Sequence, residues 1–160
     1  MKKKILLTLL AIIVIIQFIR PSKNKSTEIS ANDISRHYAV QANVDGILKR
    51  SCNDCHTNNT TYPWYTNIQP VGWWMQWHVN EGKSHLNLSE FATYAAKRQH
   101  HKLEEVIEMV KEGAMPLNSY LWIHGNAKLS AEDQATLVNW ADVLMKEITI
   151  KNNLPAVEKK

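Results

Sequence analysis

The chain has 160 residues, 44% of them hydrophobic, and a formal net charge of +4, which leaves room for one ordinary domain and a short extension. Lys2, Lys3, Lys4, Lys159 and Lys160 sit at the two ends, so the part between is near neutral and lacks the concentrated basic face that a nucleic-acid partner requires. Two cysteines exclude a disulfide framework, and a bridge between neighbours in a C-x-x-C pair would close too small a loop to stabilise much.

The first three lysines precede an apolar run from Ile5 to Ile19, broken only by Thr8 and Gln17, and Arg20-Pro21 end it. This is the pattern of an export signal. As a helix the run rises about 22 Å against about 30 Å of hydrocarbon, a length that suits a cleaved signal peptide. Against cleavage, no small-x-small site follows. Residues 1–20 are therefore read as an uncleaved anchor in a bacterial inner membrane, with a cleaved peptide as the alternative and a buried core helix as a third reading. Lysines retained in the cytoplasm would place the rest in the periplasm.

Residues 21–42 are polar and aperiodic at their start and read as a tether, followed by a domain over 43–150 and a polar tail over 151–160. The domain is expected to be all-α. A first helix around Val44–Ser51 carries Val44, Ile47 and Leu48 on one face and runs into Cys52; Gly46 inside it implies a close contact with another helix. Residues 53–69 read as a loop. Pro70 suits the first turn of a helix to Glu81, with Gly82 as its left-handed cap. Another helical stretch runs from Ser89 to Glu112, with a break near Gln99, an inner stripe of Leu103, Val106, Ile107 and Val110, and a stop at Gly113. The last helix opens on a capping-box-like Ser130 to Asp133 and lines up Leu137, Trp140, Ala141, Leu144 and Ile148.

Cys52-Asn53-Asp54-Cys55-His56 carries the chemistry. C-x-x-C-H is the attachment signature for covalent haem, because two thiols one turn apart reach two vinyl groups and the following imidazole reaches the iron. A zinc site would need a second ligand pair, which does not follow. A thioredoxin-like dithiol would need strand-helix-strand surroundings, which are missing. Cys52 and Cys55 are thus the expected thioether positions of one haem c, and His56 the proximal iron ligand. Met115, beyond the Gly113 stop and stiffened by Pro116, is the expected distal ligand; His78 and His85 are the alternatives. Met75, Met109 and Met145 read as core, and His37, His100, His101 and His124 as surface or capping residues. Some of the six tryptophans are expected to wall the haem. Lys97 and Arg98 are candidate propionate partners, although two solvated charges on a helix is the simpler reading.

The chain resembles the small bacterial haem-binding domain family and, more distantly, the mono-haem class I cytochromes c. The stretches that carry the resemblance are Ser51 to Thr57, Tyr62 to Tyr65, Trp73-Trp74, His78 to Gly82, His85 to Asn87, Ala96 to Gln99 and Met115 to Leu117. The resemblance implies a cytochrome c-like fold in which the helix before Cys52 crosses the last helix, with Val44, Ile47 and Leu48 against Leu137, Trp140 and Leu144. The expected function is single-electron transfer between redox protein partners at the periplasmic face of the membrane, without enzymatic activity and without catalytic residues. A haem-based sensor or small-ligand binder with an open or displaceable sixth position is the alternative, and a peroxidase-like enzyme a more distant one.

Overall fold

A computed structural model describes residues 1–155. The described residues form eight α-helices and three short 3-10 turns with no strand among them, so the all-α expectation holds. The expected tail over 151–160 lies partly outside the described residues.

Helix α1 covers Lys2–Ile16. Among the described residues no helix is long and apolar enough to cross a membrane. This corrects the expected inner-membrane anchor and the localisation drawn from it, and the reason is length: α1 has 15 residues, about 22 Å of rise against about 30 Å of hydrocarbon. Its C-terminal cap turns toward the rest of the chain instead. The Gln17 amide accepts from the Gln69 N–H at 2.9 Å and donates to the Gln69 carbonyl at 3.1 Å.

The stretch read as a tether is also packed. Just before it, the Ile19 carbonyl accepts the Trp73 indole N–H at 2.7 Å. Asn24 holds Thr57, Thr60 and Tyr62, and the short helix α2 (Ile34–His37) buries Ile34 in the main core. These polar residues have no periodicity because their partners are scattered loop backbone and side-chain groups rather than one helix face.

Helix α3 (Ala42–Ser51) buries Val44, Ile47 and Leu48, in one cluster with Leu137, Trp140 and Leu144 of α8 (Ala131–Lys151). Gly46 plays no part in that contact, since a Cβ there would meet nothing within 4 Å; the crossing is made by the apolar face alone. The α8 start has the full capping box, Ser130 and Asp133 each accepting the other's backbone N–H, worth about 1 kcal/mol to the helix. Asp133 additionally pairs with Arg50 at 2.9 Å, tying the α8 start to the turn before Cys52.

The helical stretch expected from Ser89 is broken, but earlier than near Gln99. A 3-10 turn covers Leu88–Thr93, and α6 (Ala96–Lys111) begins after Tyr94 and Ala95. The break falls there rather than near Gln99 because Gln99 is buried, accepting from the Tyr38 hydroxyl and donating to the Tyr94 carbonyl. α6 lays Leu103 and Val110 on α8 and ends at Gly113, whose φ of +67° is the left-handed geometry expected of a glycine stop.

Candidate haem-binding site

The C-x-x-C-H segment forms its own short helix. Cys52, with φ −127° and ψ −41°, breaks α3, and α4 (Asn53–His56) follows at once. Cys55 and His56 both donate their N–H to the Cys52 carbonyl at 3.1 Å. Cys52, Cys55 and His56 therefore stand on one tight turn, as the spacing anticipated.

The partner of His56 is the residue that caps the C-terminus of α5 (Val71–His85). Its Nδ1–H donates to the Leu86 carbonyl at 2.9 Å; since a carbonyl only accepts, this fixes the tautomer and leaves Nε2 on the opposite edge as a free lone-pair donor. Burial holds the His56 pKa below its ordinary value, against the pull of the Leu86 and Gly82 carbonyls, so the ring is a neutral imidazole suited to a metal.

α5 reaches this carbonyl only because Gly82 lets it lie against α4. A Cβ at Gly82 would stand 2.6 Å from the Cys55 carbonyl oxygen and 3.0 Å from the Cys55 Cβ. The expected left-handed cap at Gly82 is thus replaced by a different role: the helix continues through it to His85, and the glycine serves close approach.

The loop after His56 is braced on two sides. Asn24 donates to the Thr57 carbonyl at 2.8 Å and to Thr60 Oγ1 at 2.9 Å, and its own oxygen accepts from Lys83 Nζ at 2.6 Å. Asn58 donates to Glu90 at 2.8 Å and accepts from Asn87 at 2.9 Å. Asn87 is thereby held beside Leu86, the residue whose carbonyl orients His56.

Burial pushes the Cys52 thiol up to about 12 and the Cys55 thiol up to about 11. The next largest causes are the neighbouring Cys55 for the first and the Asp54 carboxylate for the second. Both are therefore neutral thiols rather than reactive thiolates at neutral pH.

Of the distal candidates, Met115 is half-buried and follows the α6 stop, with its N–H on the Met109 carbonyl at 3.2 Å. Five residues on, Tyr120 of α7 (Asn118–Leu121) donates its hydroxyl to Asp54 inside the C-x-x-C-H turn at 2.8 Å. His78 sits between the Trp74 and Trp77 rings, 4.6 and 4.8 Å away, and its Nε2 is buried with no partner. His85 is 73% exposed beside Glu81.

His124, read as surface or capping, stacks on Tyr120 at 4.1 Å and accepts from the Tyr65 hydroxyl at 3.0 Å. Of the tryptophans, Trp140 belongs to the core, while Trp74, Trp77, Trp64 and Trp122 present apolar area at the surface. Lys97 and Arg98 are exposed, and Arg98 lies over the Tyr94 ring. Leu86, Asn24, Asp54 and Tyr120 were not singled out in the sequence; of these, only Leu86 and Asp54 fell within the motif stretches.

The residues present fit a haem. They offer two half-buried thiols on one turn, a neutral imidazole with its Nδ1 already hydrogen-bonded, and a second histidine whose buried Nε2 is unpartnered. No curated protein and no solved structure matches the chain. The sequence model of the haem-binding domain family matches residues 11–143, most of the chain, and the protein belongs to that family.

Proposed function

We propose that this haem-binding protein is a mono-haem c-type cytochrome with a cytochrome c-like domain, an electron carrier rather than an enzyme. Cys52 and Cys55 would hold the group as thioethers, with His56 as proximal ligand and Met115 as distal ligand. Bound there, haem supplies one-electron iron chemistry, its potential raised by a methionine–histidine pair relative to two histidines. The observation that carries the reading is the His56–Leu86 hydrogen bond at 2.9 Å beside two thiols on the same turn. It is the ligand-orienting contact that metal-bound imidazoles use, and neither a disulfide nor a dithiol enzyme has need of it. The chain's residues orient the imidazole, keep it neutral and wall it from water; its partners would be redox proteins.

The test is to co-express the full chain with haem-maturation machinery and extract with acid acetone. Haem retained by the parent chain and released from Cys52→Ala/Cys55→Ala supports the proposal; haem released from the parent overturns the covalent reading. One observation favours a second reading of the distal side. The unpartnered His78 Nε2 is a ready sixth ligand, or a distal base over an open position, which would suit a sensor or ligand binder. A far-red sulfur–iron band abolished by Met115→Ala selects the first reading. Its absence, with a spectrum altered by His78→Ala, selects the second.

A further inference from the structure

The segment that carries Met115 is tied to the turn that carries His56 by one hydrogen bond. Asp54, the second spacer of C-x-x-C-H, uses both carboxylate oxygens: one accepts from the Thr61 N–H at 2.9 Å, the other from the Tyr120 hydroxyl at 2.8 Å. The Thr60 hydroxyl donates to the Asp54 carbonyl at 2.6 Å, so the acceptor is immobile from three directions. Tyr120 is fixed in turn by its stack on His124, whose Nδ1–H donates to the Tyr120 carbonyl at 3.2 Å and whose Nε2 accepts from Tyr65.

Upstream of this contact the chain is equally constrained. Ala114 and Met115 both donate to the Met109 carbonyl at the end of α6, and Pro116 is buried. Met115 is thus suspended between two fixed points, the C-terminus of α6 on one side and the Tyr120–Asp54 bond on the other. A neutral hydroxyl on a carboxylate is one of the stronger hydrogen bonds a protein makes, and it joins the two ends of the proposed iron axis without touching iron itself.

We propose that Tyr120 and Asp54 form a latch that positions the sixth ligand: the hydroxyl–carboxylate bond sets how long Met115 stays on the iron, and so how readily an external ligand displaces it. This rests on the assignment of Met115 in the preceding section. A charge-assisted hydrogen bond between two loops restricts the relative motion of those loops, and transient loss of a loop-borne ligand is such a motion.

The test uses the matured full-length holoprotein and imidazole as the probe ligand, with Tyr120→Phe, Asp54→Asn and the double variant. Covalent haem should be retained in all three. The latch predicts that Tyr120→Phe weakens the far-red sulfur–iron band and raises the imidazole association rate by about tenfold, the scale set by losing a charged hydrogen bond. Asp54→Asn should do much the same, and the double variant should add little, since both remove one bond. A merely structural role would lower the unfolding midpoint while leaving band and rate unchanged well below it. If the parent shows the band, Met115→Ala removes it, and Tyr120→Phe binds imidazole at the parent rate, the latch is wrong and the ligand assignment stands. If the parent lacks the band, the ligand assignment fails and the latch with it.

Discussion

The two sides of the site are held by different kinds of contact. Around His56 the restraints are dense and act on the proposed ligand itself: its ring nitrogen is bonded to Leu86, Gly82 of the supporting helix lies against Cys55, and the following loop is pinned by Asn24, Asn58 and Asn87. Around Met115 they act on neighbours, through Met109 upstream and Tyr120 downstream. A ligand fixed through its own ring behaves as part of the core, whereas one fixed through flanking backbone can leave and return. That is the difference expected between a permanent and a displaceable ligand.

The comparison breaks most visibly if the close approach at Gly82 turns out not to matter. Gly82→Val should force α5 away from α4, because the first added carbon already stands 2.6 Å from the Cys55 carbonyl. Overpacking of this kind costs about 3 kcal/mol. Urea denaturation should show that loss, and amide exchange should show faster opening around Leu86. Parent-like stability would mean the proximal side is softer than its contacts imply.

A second test uses the thiols. Their ordinary pKa is 9.0, raised in the folded chain to about 12 for Cys52 and about 11 for Cys55. In the window above pH 9 the unfolded chain releases protons that the folded chain keeps, so stability is fully present below pH 9 and is lost as pH rises toward 11 and 12. The slope approaches about 1.4 kcal/mol per pH unit for each thiol. Chain produced without haem maturation should show this alkaline loss by denaturant titration; a Cys52→Ala/Cys55→Ala chain should lose stability less steeply, keeping only the share due to Tyr38, Tyr65 and Tyr120, whose hydroxyls burial also pushes up. Equal slopes in the two chains would show that the thiols are not held neutral by burial.

Much of this fold can be read from residue order because it rests on periodic apolar side chains: α6 and α8 announce Leu103, Val110, Leu137 and Leu144 at helical spacing. The attachment turn is legible for another reason, its chemistry needing fixed spacing. What could not be read is whatever depends on backbone or on distant loops. The acceptor for His56 is a main-chain carbonyl, which any residue at position 86 would offer. Asn24 meets Thr57 across 33 positions, and Tyr120 meets Asp54 across 66; neither pairing leaves a local pattern. Local rules assign Gly82 a helix cap and Gly46 a close crossing. The crowding falls at Gly82 and not at Gly46, which only the packing of α5 on α4 determines.

The stretch before the domain sharpens the comparison from outside. The Asn24 side chain bonds the loop after His56 and Lys83 of α5, so Asn24→Ala should cost about 2 kcal/mol, the scale of several partly buried hydrogen bonds lost with their partners left unpaired. It should raise amide exchange at Thr57 and Thr60, while leaving imidazole association unchanged. A faster association rate in this variant would show that the two sides are not independent.

The smallest effect is expected at His85, and geometry gives the reason. An imidazole carries its two nitrogens on opposite edges, so the bond from His56 Nδ1 to Leu86 directs Nε2 away from residue 86. A metal held by Nε2 would therefore lie beyond that far edge of the ring. His85 adjoins Leu86 in the chain, and its 73% exposed side chain meets Glu81 at 3.8 Å. His85→Ala should leave the visible spectrum and the imidazole rate unchanged and alter stability by less than about 0.5 kcal/mol, as for other exposed pairs. A changed axial-ligand spectrum in this variant would mean that His56 does not coordinate through Nε2, and the division into a fixed and a displaceable side would have to be redrawn.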